Sequence, residues 1–199
     1  MQTRSRKKQY VLVVDVETTG QNRFQHWMPC FAAALVDEAG ASPKDAQFLC
    51  YLEQPAGKTW DEACLRNFWR NKNYAVDGLL LYDRLQLEAD QHKRWQPEAA
   101  MGRFQAWLER IVLRYPSVQL ASDNAAFDIG WLDHYLQLYC AKATSLSYFA
   151  GEWRPILDVR SFAEGKGRSW RSAGSDRDHN PLHDAIQIGQ EYFQLAKIT

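Results

Sequence analysis

Two carboxylates, Asp15 and Glu17, close the apolar run YVLVVDVE that begins at Tyr10. Side chains two apart on a strand share a face, so a buried strand here presents two anions to one small volume. Like charges that close drive a proton onto one of them unless a cation lies between. Hard divalent cations such as Mg²⁺ take oxygen ligands of this kind. Other acids stand near element boundaries. Asp128 ends SDNAAFD, where a strand gives way to a helix, and Asp184 lies in HNPLHDA, five residues after His179. Each has an ordinary explanation taken singly. Asp123 or Asn124 caps the helix while Asp128 faces solvent, and Asp184 is a first-turn acid favoured by the helix dipole.

The elements that must position these residues are legible in outline. The β-branched run YVLVVDV reads as a strand covered on both faces. FAAALVD and AQFLCYLEQ bracket the turn-rich EAGASPKD, Glu38 to Asp45, and read as a hairpin. From Pro97, apolar Met101, Phe104, Trp107, Leu108, Ile111, Val112 and Tyr115 recur at helical spacing until Pro116. SVQLASDN reads as a fourth strand, FDIGWLDHYLQLYC as the helix leaving it, and PILDVRSF as a short strand. The Gly/Ser/Arg-rich segment from Glu164 to Asp178 reads as a mobile loop, and a last helix runs from about Pro181 to Lys197. Strands first, then alternating helices and strands, argue for an α/β fold with a mixed central sheet flanked by helices. Residues 54–96 carry mixed signals, beginning with a helix near Asp61; they are either covering helices or a specificity insert.

At 199 residues the chain suits one well-filled domain, here residues 10–199 behind a basic tail at 1–9. The tail's charge run, RSRKK from Arg4 to Lys8, reads as solvated rather than as a nucleic-acid arm. A formal net charge of zero excludes the overall basic field of non-specific duplex binders. The four cysteines form no CxxC pair and no zinc-spaced Cys/His group, so free thiols in a reducing compartment are expected. No run approaches membrane-spanning length and no signal-peptide core is visible. These features imply a soluble, cytoplasmic protein without a membrane partner.

Taken in order, the acidic stretches resemble the DEDDh group of 3′–5′ exonucleases, which have the ribonuclease H-like fold and include proofreading exonucleases, ribonuclease T and oligoribonuclease. DVETTG is similar to the group's first motif, NAAFD to its second and HNPLHDA to its third. LDVR, with Asp158, resembles the short strand between motifs two and three. The resemblance spans roughly Tyr10 to Leu195. A looser one ties LRNFWRNK, Leu65 to Lys72, to a phage exonuclease and ribonuclease T-like bacterial exoribonucleases.

The resemblance implies a nuclease that uses two divalent ions, Mg²⁺ or Mn²⁺, to release nucleoside 5′-monophosphates from a nucleic acid with a free 3′ end. By it, Asp15 bridges both ions, Glu17 and Asp184 complete the one that activates water, and Asp128 holds the second. His179 becomes the general base, because the pattern places a histidine five residues before the acid. His183, adjacent to Asp184, is the competing candidate and reads as structural. His26, His92 and His134 have no motif support. Thr18, Thr19, Asn124 and Phe127 are the expected substrate contacts, joined by an aromatic for base stacking. Trp69 leads that set ahead of Phe24, Trp27 and Phe68, with core packing the alternative for each. KGRSWR, Lys166 to Arg171, is a basic stretch able to meet phosphates. The looser resemblance favours RNA, with DNA the alternative. Dimerisation is common among such relatives. A catalytically silent binding module would have lost an acid or the histidine, and all five are here.

Overall fold

The computed structural model describes residues 8–140, 145–146, 148–149, 152–153, 155–170 and 179–197. Its centre is a six-stranded mixed sheet. The strands are β1 (Tyr10–Glu17), β2 (Cys30–Asp37), β3 (Gln47–Leu52), β4 (Arg94–Trp95), β5 (Gln119–Ser122) and β8 (Ile156–Asp158), in spatial order β4-β3-β2-β1-β5-β8. A two-residue pair, β6 (Tyr148–Phe149) and β7 (Glu152–Trp153), stands apart. β1, β2 and β3 form an antiparallel meander, and β5 and β8 then add parallel to β1. The expected hairpin is the β2–β3 connection. The strand expected fourth is fifth in sequence, because Arg94–Trp95 pairs with Tyr51 and Leu52; two residues are too few for an alternating pattern to register.

Alternation on β1 divides the core. Leu12, Val14 and Val16 point to one face, where they meet Phe31, Ala33 and Leu35 of β2 under two long helices. Those helices are α3 (Pro97–Arg114), whose Phe104, Leu108 and Ile111 are buried, and α4 (Ala125–Tyr139), which buries Trp131, Leu132 and Tyr135. Val11 and Val13 point the other way with Ala34, Val36 and Ala121. They meet Val159 of α5 (Val159–Gly165) and Ala185, Ile188 and Phe193 of α6 (Pro181–Ala196). Burial on both faces explains the near-continuous apolar reading of β1.

α6 lies unusually close to the sheet, and a glycine allows it. A Cβ built on Gly189 would fall 2.6 Å from Val36 Cγ2 and 3.2 Å from Val13 Cγ2. The short segment PILDVRSF is a strand only to Asp158. Asp158 then caps α5 by accepting the Ser161 N–H at 2.7 Å, and the helix takes over. The helix occupies Glu164 and Gly165, where a loop was expected, and Arg171–Asp178 lies outside the described residues. Residues 1–7 of the basic tail also lie outside them.

The stretch with mixed signals folds against the β2–β3 half of the sheet. α1 (Glu62–Cys64), a π-helical turn at Leu65–Trp69, a 3₁₀ turn at Lys72–Tyr74 and α2 (Leu81–His92) follow one another. Trp69, Leu81, Leu85 and Ala89 bury Cys30 and Tyr51. Cys30 is the register partner of both Glu17 and Tyr51, so this segment covers the sheet beside Glu17. All four cysteines are free, and no helix among the described residues is long and apolar enough to cross a membrane.

Candidate active site

The face of β1 that meets α6 continues past Val11 and Val13 to Asp15 and Glu17. Both carboxylates are buried, at 7% and 8% exposure. The close seat of α6 at Gly189 brings its first turn over them, with Asp184 3% exposed one turn ahead of Ile188. α6 starts where it does because Asn180 caps it, its Oδ1 accepting from Leu182 N at 3.1 Å and His183 N at 3.3 Å, with Pro181 following. Asn180 is itself tethered, donating from Nδ2 to Glu88 Oε2 of α2 at 3.4 Å. Glu88 also accepts the Tyr51 hydroxyl at 2.6 Å and pairs with Arg84 at 2.7 Å. His179, just before the cap, adopts a left-handed backbone (φ 50°), which histidine tolerates better than most side chains. Its Nδ1 lies 4.0 Å from Glu17 Oε1.

Asp128 arrives from the other side of the sheet edge, in the first turn of α4. That helix begins at the C-terminal end of β5, where Asp158 Oδ2 accepts the Ala125 N–H at 3.0 Å and Ser122 Oγ accepts the Asn124 N–H at 3.1 Å. Asp158 thus caps α4 from the neighbouring strand, and the side chain of Asn124, one of the two capping residues expected with Asp123, makes no capping bond. Ser122 also donates its hydroxyl to Asp128. Burial pushes the Asp128 carboxyl up to about 7, against the downward pull of the Ser122 hydrogen bond. Asp15 is raised well above the usual carboxylate range by burial first, then by the negative charge of Asp128, Glu17, Asp184 and Asp123. The acids expected to converge do so.

Two donor groups result. Single ligand atoms of Glu17, His179 and Asp184 lie within 4.8 Å of one another, and so do those of Asp15, Asp123 and Asp128. Among the described residues the buried Asp15 carboxylate takes part in no hydrogen bond or ion pair. An all-carboxylate oxygen set with one imidazole, holding surplus negative charge out of water, fits hard divalent ions and does not resemble a Cys/His zinc site.

These groups floor an open pocket of about 360 Å³. Its walls include Asn124 and Phe127 from the start of α4, Phe68 and Tyr74 from the segment after α1, and Arg160 and Trp170. Phe68 and Tyr74 both turn ring faces or edges toward His179, with centroids at 4.9 and 5.7 Å. Of the expected substrate contacts, Asn124 and Phe127 thus face the pocket, and three others do not. Trp69 is only 3% exposed and donates its indole N–H to Thr18 O at 2.9 Å, so its ring is committed to the core. The π-helical turn, closed by Arg70 N to Leu65 O at 2.8 Å, puts Trp69 inward and Phe68 on the pocket side. Thr19 is fully buried; its hydroxyl lies 3.2 Å from the carbonyls of Trp27 and Thr59 and accepts the Trp27 N–H at 3.0 Å. Thr18 serves the same turn through its carbonyl. Both threonines therefore shape the chain after Glu17 rather than line the pocket.

The remaining histidines lie elsewhere. His183 is exposed beside Ile186 and Gln187 on the outer side of α6. His26 bonds Thr59 O, His92 stacks on Tyr51, and His134 packs against Phe24. Trp27 is buried and Phe24 is 81% exposed. Sequence reasoning missed Asp123 as a site acid, and it missed Tyr74, Arg160 and Glu88. Asp123 did have a signal, since residues 119, 121 and 123 share a strand parity. The others come from helices and turns whose approach to the site is set by packing.

No protein-family model matches the chain. It is 26% identical over 204 residues to the 3′–5′ DNA exonuclease Cap18 of Escherichia coli, covering 96% of this chain and 94% of that one. Among solved structures, the metal-free E. coli exonuclease I–single-stranded DNA complex aligns with a TM-score of 0.61 at 14% identity, covering 96% of this chain and 39% of that one. The nuclease domain of 3′hExo, a DEDDh family member bound to rAMP, aligns with a TM-score of 0.50 at 14% identity, covering 96% and 93%. The chain spans about two-fifths of the exonuclease I chain, matching 39% of it. The fold is thus the ribonuclease H-like one that the motifs implied.

Proposed function

We propose that this chain, a 3′–5′ exonuclease of the DEDDh type, removes nucleoside 5′-monophosphates from single-stranded DNA 3′ ends with the help of two divalent ions. The observation that carries the reading is the meeting of Asp15, Glu17, Asp128, Asp184 and His179, from three separate elements and the approach to one of them, at the floor of one open pocket. Glu17, Asp184 and Asp15 would hold one ion, and Asp15 with Asp128 the other. Divalent ions held by these residues would supply neutralisation of charge on a phosphoryl group and acidification of a water. The protein's own groups do the rest. His179 accepts the proton of the attacking water. Asn124 and Phe127 border the terminal nucleotide, and Phe68 offers an aromatic surface for a base, worth about 1–3 kcal/mol in single-strand binders. Among the described residues that line the pocket, Arg160, whose Nε is 3.4 Å from Glu164 Oε1, is the cationic side chain placed to meet a phosphate.

DNA rather than RNA is the substrate in this reading. The leaning of the sequence toward RNA rested on one segment, Leu65 to Lys72, whereas similarity to a DNA exonuclease runs nearly end to end. A zero formal charge also favours a short, single-stranded site over long duplex tracking. The test uses 5′-labelled DNA and RNA of one sequence, single-stranded and in duplex, with Mg²⁺, Mn²⁺ or chelator. Stepwise shortening of single-stranded DNA with release of 5′-monophosphates is expected. Cleavage in chelator sinks the metal reading, and faster shortening of RNA sinks the DNA preference.

A further inference from the structure

The four acids of the motifs do not exhaust the carboxylates at the pocket floor. We propose that Asp123 is a fifth acidic ligand, binding directly or through a coordinated water the divalent ion that Asp15 and Asp128 hold. The inference rests on the metal reading above and deepens it.

Strand register puts Asp123 there. Val13 sits opposite Ala121 in the parallel β1–β5 pairing. Two residues further along each chain come Asp15 and Asp123, on the face that meets α6. The side chains follow that register, for oxygens of Asp15, Asp123 and Asp128 lie within 4.8 Å of one another. At the start of α4, Asp158 accepts the Ala125 N–H and Ser122 Oγ the Asn124 N–H. Asp123 also lines the pocket, half-buried. The independent sign of a ligand is Asp15. Its carboxylate, 7% exposed and facing the same pocket, makes no hydrogen bond or ion pair among the described residues. An ion at that point satisfies Asp15, with an oxygen each of Asp128 and Asp123 within 4.8 Å of an Asp15 oxygen.

Ligand charge count is a main determinant of affinity at oxygen-ligated cation sites. A third carboxylate therefore brings this position level with the one held by Asp15, Glu17 and Asp184, occupied at metal concentrations where a two-carboxylate site would stand partly empty. Losing a group that supports a metal ligand costs about 10–100-fold in affinity. A directly bound Asp123 falls at the upper end of that range, a water-mediated one at the lower.

The experiment is calorimetric titration with Mn²⁺ alone, without nucleic acid, on the full chain. Asp123→Asn is compared with wild type and with Asp123→Glu, and is then placed in Glu17→Gln and Asp128→Asn backgrounds. Asp123→Asn should weaken Mn²⁺ binding by about 10–100-fold in the wild-type and Glu17→Gln backgrounds and add little to Asp128→Asn. Asp123→Glu should retain most of the affinity, and thermal unfolding in chelator should show both variants folded. A wild-type isotherm for Asp123→Asn overturns the proposal. So does an equal loss in all three backgrounds, which marks a diffuse charge effect. Absence of Mn²⁺ uptake by the wild type overturns the metal reading itself, a separate result.

Discussion

Replacing Asp128 with Asn should stabilise the metal-free protein, and the gain should grow with pH. In the folded chain the Asp128 carboxyl titrates at about 7, burial being the main cause. In the unfolded chain it titrates near 3.9. Between those values the folded state holds a proton that the unfolded state has lost, so wild-type stability falls as pH rises through this window. The slope for one proton is about 1.4 kcal/mol per pH unit. Over the gap of about three pH units the penalty approaches 4 kcal/mol by pH 8, an upper bound. Asp15, raised by burial and by its acidic neighbours, pushes the same way. Asparagine keeps the size and an oxygen for the Ser122 hydroxyl but cannot ionise. The assay is thermal unfolding in chelator at pH 5, 6, 7 and 8. At about 2–4 °C per kcal/mol for a chain this long, the variant's advantage should widen by several degrees toward pH 8. Saturating Mn²⁺ should reverse the order, because the ion supplies the missing counter-charge to wild type. Parallel wild-type and variant curves in chelator would refute the claim that uncompensated charge is what the site holds.

Other perturbations test the same geometry. His179→Ala should abolish turnover of single-stranded DNA while leaving Mn²⁺ affinity within a few-fold, whereas His183→Ala, exposed on the outer face of α6, should keep most activity. Gly189→Ala, with its Cβ driven to 2.6 Å from Val36 Cγ2, should cost about 1–3 kcal/mol of stability by overpacking, read by urea unfolding. It should also weaken metal binding, because Asp184 moves with the helix. Trp69→Phe loses the N–H donated to Thr18 O and should cost about 1–2 kcal/mol in the same urea assay. Phe68→Ala should instead raise KM for oligonucleotides with little change in unfolding midpoint. Metal affinity should climb with pH up to about neutrality, since Asp128 must shed its proton, at about 7 in the metal-free protein, before it can bind.

How much of this was legible in the sequence divides along physical lines. Asp15 and Glu17 could be placed because the β-branched run from Val11 marked a strand, and strand geometry puts residues two apart on one face. Asp184 and His179 needed the motif spacing, and the cap at Asn180 gave the helix a readable start. What local rules cannot supply is the approach of one element to another. The pocket wall at Phe68 and Tyr74 depends on a π-helical turn, whose single extra residue swaps which aromatic faces inward. A 3.6-residue reading of LRNFW has no means of choosing Phe68 over Trp69. The same holds for Glu88, which reaches the pocket floor through Asn180 only because α2 lies across Tyr51.

Asp123 marks the boundary between the two kinds of information. Its neighbour in sequence, Asn124, matches a motif and drew attention to helix capping, a local role that short polar residues before an apolar run commonly fill. Its neighbour in space, Asp15, is more than a hundred residues away and is fixed only by the parallel register of β1 and β5. A parallel pairing has no hairpin to set that register, so it is settled by which residues fill both faces of the sheet. Val13 and Ala121 pack against α6, and the acids one step beyond them are carried to the edge of that layer together. The apolar layer therefore determines how much negative charge the pocket collects, and the proposed metal affinity of the site follows from where the core stops.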